Sequence, residues 1–454
     1  MTTAPLFGPS PRLWRLFPVH IAIAAHDLYP DPGSGGSGRY VYETGRRLVD
    51  RGHEVAVLTR RRGDVPVRES VAGMDVFRYD LEIAERNAAA IGRRLPRSLS
   101  QATDRVEAMT ESDEPDVLSL QGPVTGPLLS ALADGSIPRS CTFHSAWPTE
   151  YRIRTRSSGL SGVRRELNAR LRHAIEERAL ASCDGIVALS AFMRDRLLRT
   201  YDGVSEPLVV PGGVDLERYA PDAASDGATA FDADTGAGPA GEPATADGGV
   251  RGSLVDGSAG QPSLPGDPAF LTVRRLSERM GHGLLLEAFA TTLDRRPDAR
   301  LYVAGDGPLR ERLERTVTRL GVDDAVTFLG YVPDAALPAT YAAADCFVLP
   351  TTELEGFGLA TLEALASGTP VLGTPVGATP EVVGGVPALE GFHGPALTRS
   401  VDADALAAGL CERASLSATE REASGRACRR YVERRYPWER TVADLERHYR
   451  DLAA

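Results

Sequence analysis

The sequence predicts an α/β protein of two domains, each built on a parallel sheet, and three observations carry that expectation. Short apolar runs that end in small or polar residues alternate with segments of helical spacing, the strand–helix–strand rhythm of parallel sheets. That rhythm breaks over residues 222–268 and resumes at AFLTV, 269–273. The chain has 454 residues, and ordinary domains of about 100–200 residues bury their own cores, so two or three fit.

Residues 1–18 read as an N-terminal extension, because prolines interrupt the apolar core that a signal peptide needs. VHIAIAA, 19–25, is the first strand, and the turn-rich HDLYPDPGSGGSG, 26–38, follows it. Tyr40, Val41, Thr44, Leu48 and Val49 then share one helical face, and Gly52 ends the helix before the strand EVAVLTR, 54–60. VLSL (117–120), CTFH (141–144) and GIVALS (185–190) are further strands, with an arginine-rich helix over 160–182. A short strand and turn at 204–215 close a first domain, 19–215. Residues 222–268 hold eight acidic residues against Arg251 among Ala, Gly, Ser, Thr and Pro, too little apolar surface to offset the entropy of ordering, so an acidic insertion or linker is expected. The second domain, 269–430, has strands at 269–273, 299–305, 325–330, 346–350 and 370–374, with a helix near 357–367. Residues 431–454 end the chain in a helical run from Trp438.

A net charge of −11 and a pI near 5.4 disfavour general nucleic-acid binding. All 51 basic residues are arginine, so a cationic role must fall to arginine or to protonated histidine. Five scattered cysteines show no zinc or redox spacing, and no apolar run is long enough to span a membrane. The cysteine pattern and the absent leader place the expected site of action in the cytoplasm. Charge is uneven: 28 arginines against 24 acids over 1–200, and 23 against 38 over 201–454. Eight arginines fall between 152 and 178, which points to an anionic acceptor or to peripheral contact with an anionic membrane, a solvated helix face being the alternative.

The most informative segment is TTELEGFGLATLEALASGTPVLGTPVGATPEVV, 351–383. Glu355 lies in a loop just after a strand, and Glu363 lies eight residues later on the following helix. Backbone N–H groups of Phe357, Gly358 and Leu359 at the helix start suit a phosphate. Carboxylates on either side suit the hydroxyls of a sugar and a ribose, so the pattern reads as a nucleotide-sugar site.

EGFGLATLE followed by ASGTPV resembles the signature of the retaining, nucleotide-sugar-dependent glycosyltransferases of group 1, the branch that includes glycogen synthases and mannosyltransferases. The resemblance runs from about residue 19 to 454, apart from 222–268. It implies the GT-B architecture, two Rossmann-like domains with parallel sheets facing a deep cleft, the first on the acceptor side and the second binding the donor. It also implies that 431–454 crosses back towards the first domain. By resemblance Glu355 holds donor-sugar hydroxyls, Glu363 the ribose, and Gly356, Phe357, Gly358 and Leu359 bring amides to sugar and phosphate. In VRRLSERMG, 273–281, Arg275 matches the family arginine. Met280 stands where the family has lysine, Arg279 is the candidate replacement, and Arg274 stands where glycine is usual. The resemblance further assigns Gly35, Gly36 and Gly38 to close approach of the backbone to diphosphate or acceptor, Gly305 to the diphosphate, Val332 to the base and His144 to the donor sugar. Arg275, Arg279, His144 and Glu355 are the expected catalytic residues. The implied reaction moves a hexosyl group from a nucleoside diphosphate sugar to a glycan, lipid-linked or small-molecule acceptor, with no metal or other cofactor. A sugar phosphorylase on the same architecture and a catalytically weak partner subunit are the alternatives.

Overall fold

The computed structural model describes residues 18–80, 88–110, 114–122, 135–156, 159–222 and 264–454, with the backbone only for 88–97 and 99. Apart from residue 18, the expected extension lies outside the described residues, as does the expected linker between 223 and 263. The linker ends earlier than its composition predicts. Leu264 is buried, the Pro265 carbonyl accepts from the Tyr302 hydroxyl at 2.6 Å, and Asp267 pairs with Arg421 at 2.7 Å. The chain forms two compact units, Met1–Gly212 with Trp438–Ala454, and Gly213–Pro437.

The first unit carries β1 (His20–Ala25), β2 (Glu54–Arg60), β3 (Arg68–Val71), β4 (Met74–Tyr79), β5 (Val117–Leu120), β6 (Arg139–Phe143), β7 (Gly185–Ala188) and β8 (Leu208–Val209). Their order is β3-β4-β2-β1-β5-β6-β7-β8, parallel throughout except that β3 runs antiparallel to β4. Helices α1 (Gly36–Asp50), α2 (Ala88–Thr110), α3 (Trp147–Arg154), α4 (Gly162–Ala181) and α5 (Ala191–Thr200) join them. All four residues of β5 and of β7 are buried, the burial on both faces that parallel sheets require. The β3–β4 hairpin and α2 have no counterpart in the predicted elements. The hairpin turns at Ala72 and Gly73, both at positive φ, without the Asn-Gly or Asp-Gly pair that marks such turns in a sequence.

The C-terminal helix, Trp438–Ala453, belongs to the first unit and buries Trp438, Thr441, Val442, Leu445 and Tyr449 along one stripe. Tyr449 OH meets Ser119 Oγ at 2.9 Å, His448 Nε2 meets Ser140 Oγ at 2.9 Å, and Thr441 donates to the Pro211 carbonyl at 2.8 Å.

The second unit has a sheet of β9 (Ala269–Val273), β10 (Arg300–Ala304), β11 (Val326–Gly330), β12 (Cys346–Leu349) and β13 (Val371–Gly373), ordered β11-β10-β9-β12-β13 and parallel throughout. Phe270, Leu301, Val303 and Val348 pack with Leu285, Leu286 and Phe289 of α6 (His282–Leu293) and with Leu313 of α7 (Arg310–Leu320). Each such side chain contributes about 1.5–3 kcal/mol by leaving water. Helices α8 (Leu337–Ala342), α9 (Leu359–Ala366), α10 (Thr379–Val383), α11 (Ala403–Ala414) and α12 (Ala418–Arg435) complete the unit.

Both sheets wind outward from an inner first strand. Successive strands leave β1 through β2 on one side and β5 on the other, and leave β9 through β10 and β12. Such reversals open a crevice beyond the carboxyl ends of the strands, where ligands of open α/β sheets bind. Those ends are His26 and Gln121 in the first unit, Arg274 and Thr351 in the second.

Candidate active site

The second unit's switch point is built on a buried ion pair. Arg274, directly after β9, donates from Nη2 to Glu355 Oε2 at 2.7 Å and from Nη1 to Thr351 Oγ1 at 2.8 Å. Thr351 in turn donates to Glu355 Oε2 at 3.2 Å. The two charged side chains are 9% and 8% exposed, so each holds the other against a large desolvation cost. The triangle occupies one carboxylate oxygen. Oε1 has no protein partner among the described residues and points toward Gly358, 3.6 Å from where a Cβ there would sit.

Gly358 has φ 89° and caps α9, which begins at Leu359 rather than near Phe357 as the sequence predicts. The left-handed conformation places the cap outside the helix. The N–H groups of Phe357, Gly358 and Leu359 have no acceptor among the described residues. The Phe357 ring is buried and meets Tyr436 edge to face at 6.0 Å, so only its backbone faces the rim. Glu363, on α9, accepts from Tyr341 OH at 3.0 Å. Burial, then the Glu363 charge, push the Tyr341 hydroxyl well above its usual range, so it remains a donor.

The loop before α9 is strained and tied down. Leu354 has φ 53°, unusual for a residue with a side chain. Arg279 Nη1 donates to its carbonyl at 2.7 Å, and Thr352 N–H donates to the Arg279 carbonyl at 2.9 Å. Arg279 is thereby committed to the loop's backbone. Met280 is buried, so no side chain occupies the family lysine's place as a charge. Gly281, at φ 76°, lies where a Cβ would come 1.8 Å from the Pro350 carbonyl oxygen. Arg275 is exposed, and its guanidinium has no protein partner among the described residues. Gly305, at φ 123°, packs under this segment, a Cβ there falling 2.0 Å from the Arg274 carbonyl oxygen. Its glycine is thus demanded by the protein backbone itself. Val332 is buried after β11, beside the 67% exposed Tyr331.

At the first unit's rim His144 belongs to a neutral network, while ion pairs of Asp27 with Arg62 at 2.7 Å and of the buried Asp31 with Arg78 at 2.8 Å hold the loop after β1. His144, after β6, shares a 2.9 Å hydrogen bond between Nε2 and Gln121 Oε1. Gln121 Nε2 donates to Ser119 Oγ at 2.9 Å and Thr142 Oγ1 at 3.0 Å, and Ser119 reaches Tyr449. With the amide so oriented, His144 carries its proton on Nε2, and Nδ1 is left as an acceptor. Burial lowers its pKa to about 4, so the ring is neutral at neutral pH. Tyr40 packs on it edge to face at 5.4 Å. Gly35 caps α1 and Gly36 opens it. A Cβ at either would meet nothing within 4 Å, whereas one at Gly38 would touch Asp27 at 3.2 Å.

Comparison with known proteins accords with this geometry. Residues 259–417 match the family model of glycosyl transferases group 1, and residues 34–218 match that of glycosyltransferase family 4. A D-inositol 3-phosphate glycosyltransferase of Geodermatophilus obscurus is 30% identical over 444 residues, covering 92% of this chain and 86% of that protein. The chain belongs to the group 1 glycosyltransferases. The mannosylfructose-phosphate synthase of Agrobacterium fabrum is 27% identical to this glycosyltransferase over 396 residues, 82% of this chain and 78% of that one. The fold is GT-B. Sucrose-phosphate synthase from Thermosynechococcus elongatus superposes with a TM-score of 0.69 at 21% identity, covering 95% of this chain and 98% of that chain. Anabaena HepE, solved with UDP-glucose, gives 0.66 at 17% identity, covering 96% and 100%.

In this glycosyltransferase the structure adds residues that the motif left unassigned. Arg274 has no role in the family pattern, yet it is the partner of Glu355. Thr351, Tyr341 and Gln121 orient Glu355, Glu363 and His144. None stands at a spacing that signals its partner: Arg274 and Glu355 are 81 residues apart. Among the described residues no group of three or more His, Cys, Asp or Glu is placed to hold a metal ion.

Proposed function

We propose that this glycosyltransferase moves a hexosyl group from a nucleoside diphosphate sugar to a sugar-containing acceptor with retention of the anomeric configuration. One observation carries the reading: Glu355 is pinned through one oxygen at the second sheet's switch point, with the other oxygen open beside three unpartnered N–H groups. A carboxylate so oriented accepts from sugar hydroxyls, while the amides and helix dipole favour a diphosphate. Glu363 would take the ribose hydroxyls. That HepE has been solved with UDP-glucose supports this donor class.

In the proposed step the bond from C1 to the diphosphate oxygen breaks and a bond from C1 to the acceptor oxygen forms on the same face. The acceptor's proton passes to the departing phosphate oxygen. The uncommitted Arg275 meets the negative charge that develops there. Arg279 acts through the Leu354 loop, and His144 offers the sugar a neutral nitrogen. Arginine and backbone N–H groups serve the leaving group in this scheme, so turnover should survive EDTA.

The test is a panel of nucleoside diphosphate sugars with phosphorylated polyols, sugar phosphates and lipid-linked acceptors. Release of nucleoside diphosphate is followed, and NMR gives the configuration of the product. An inverted product would remove the retaining assignment. Release of sugar 1-phosphate on adding inorganic phosphate would assign a phosphorylase instead.

A further inference from the structure

Helix α4 presents its faces in reverse. Its buried positions are Ala169, Glu176 and Leu180. Arg172 joins them, its guanidinium 3.8 Å from the Tyr151 ring centre and 5.1 Å from that of Trp147. Glu176 accepts from the Trp147 N–H at 2.9 Å and from the Tyr201 hydroxyl. The charged and polar anchors therefore point into the first unit. Outward stand Val163, Leu167, Leu171 and Ile175, 83%, 68%, 58% and 38% exposed. Residues four apart share a helix face, so these side chains form one ridge about 18 Å long.

A scattered exposed leucine needs no explanation, but a continuous apolar ridge does. The helix that water selects places its polar groups outside. Here four of the eight large exposed apolar residues of the described chain are aligned on one helix. Charge identifies what covers them. Arg164, Arg170 and Arg178 are exposed on the same side of α4. Arg164 and Arg178 have no acidic partner among the described residues, and Arg170 shares Glu166 with Arg152. Residues 152–178 hold eight arginines against three acids in a chain whose net charge is −11. A second copy bound symmetrically through this ridge would set arginine against arginine. A lipid surface with anionic headgroups offers phosphate to the arginines and an acyl boundary to the ridge.

We propose that α4 docks the first unit on an anionic lipid surface, with Val163, Leu167, Leu171 and Ile175 entering the headgroup–acyl boundary and Arg164, Arg170 and Arg178 meeting lipid phosphates. The inference needs neither donor nor acceptor and stands independently of the sugar-transfer reading.

The experiment is co-sedimentation of the full chain with vesicles of phosphatidylcholine alone and with about one third phosphatidylglycerol, at about 50 and about 500 mM salt. Binding to the anionic vesicles is expected at low salt, at least about tenfold stronger than to neutral ones. Leu167→Ser with Leu171→Ser should weaken it about tenfold or more at both salt levels, because the apolar contribution is not screened. Arg164→Gln with Arg178→Gln should weaken low-salt binding and remove most of the salt dependence. All four positions are exposed, so unfolding midpoints should match the parent, and the arginine pair remains a test if the serine pair folds poorly. Equal retention on neutral and anionic vesicles, no retention on either, or unchanged binding by the serine pair would overturn the proposal. So would a dimer in solution that the serine pair dissociates, which would assign the ridge to a second copy.

Discussion

In the first sheet's rim His144 is held by neutral hydrogen bonds, and in the second sheet's Glu355 is held by a buried ion pair. His144, Gln121, Ser119 and Tyr449 come from three chain segments and carry no formal charge between them. Arg274 and Glu355 carry one each, almost out of water. A neutral network loses one partner at the cost of a hydrogen bond, whereas an ion pair that loses one leaves a bare buried charge. Four of the rim glycines differ in the space around them. Gly281 and Gly305 are required by carbonyl oxygens of their own unit, while no protein atom crowds Gly35 or Gly36. The Glu355 loop is therefore rigidly prearranged, whereas the first rim, though its Asp31 is fixed by the buried Arg78 at 2.8 Å, leaves room beside Gly35 and Gly36.

The sharpest way to break this contrast is Arg274→Met. It should lower stability by about 3–5 kcal/mol, read by urea unfolding, because Glu355 is left buried and unpaired. An unchanged midpoint would mean that the pair does not hold the rim.

Glu176 is a buried carboxyl of the first unit with no arginine partner among the described residues, unlike Asp31 with Arg78, and it tests what an unpaired acid costs there. Burial raises its pKa to about 7, above the usual carboxyl value of 4.5. The folded protein then binds the proton more tightly than the unfolded chain, so stability falls as pH rises from the unfolded value through the folded one. Glu176→Gln should remove this slope, raising stability at about pH 8 by roughly 1–3 kcal/mol and leaving it nearly unchanged near pH 5. Parallel pH profiles for parent and variant would refute the buried-acid assignment.

Glu363→Gln keeps shape and loses charge. Donor affinity should fall by about 1–3 kcal/mol, measured by calorimetry, since charged hydrogen bonds are worth that much. Full affinity would remove Glu363 from the ribose. Arg275→Met should lower turnover about tenfold while changing donor affinity less, since the charge it meets grows as the diphosphate leaves. Near-normal turnover in the folded variant would return the leaving group to the helix N–H groups. The smallest effect is on folding in Gly35→Ala. The space is open and φ is −109°, so stability should stay within about 0.5 kcal/mol. A loss of activity without a loss of stability would show that the open space is used by a ligand.

The sequence by itself determined the two strand–helix series, the glutamate pair around the α9 start and the all-arginine cation supply. These are local: a period of two or 3.6, a glycine at a turn and a fixed spacing are recorded along a few neighbouring residues. It did not reveal the β3–β4 turn, whose Ala72 carries no turn signature, or the α9 cap at Gly358. Tertiary structure alone decided that Arg274, standing where the family has glycine, would reach Glu355, because β9 and β12 are neighbours only in the folded sheet. It likewise decided which face of α4 turns inward. The spacing of Val163, Leu167, Leu171 and Ile175 would by itself turn that ridge inward, and the fold turns it outward. Trp147, Tyr151 and Tyr201, brought together by packing, bind Arg172 and Glu176 and leave the leucines outside.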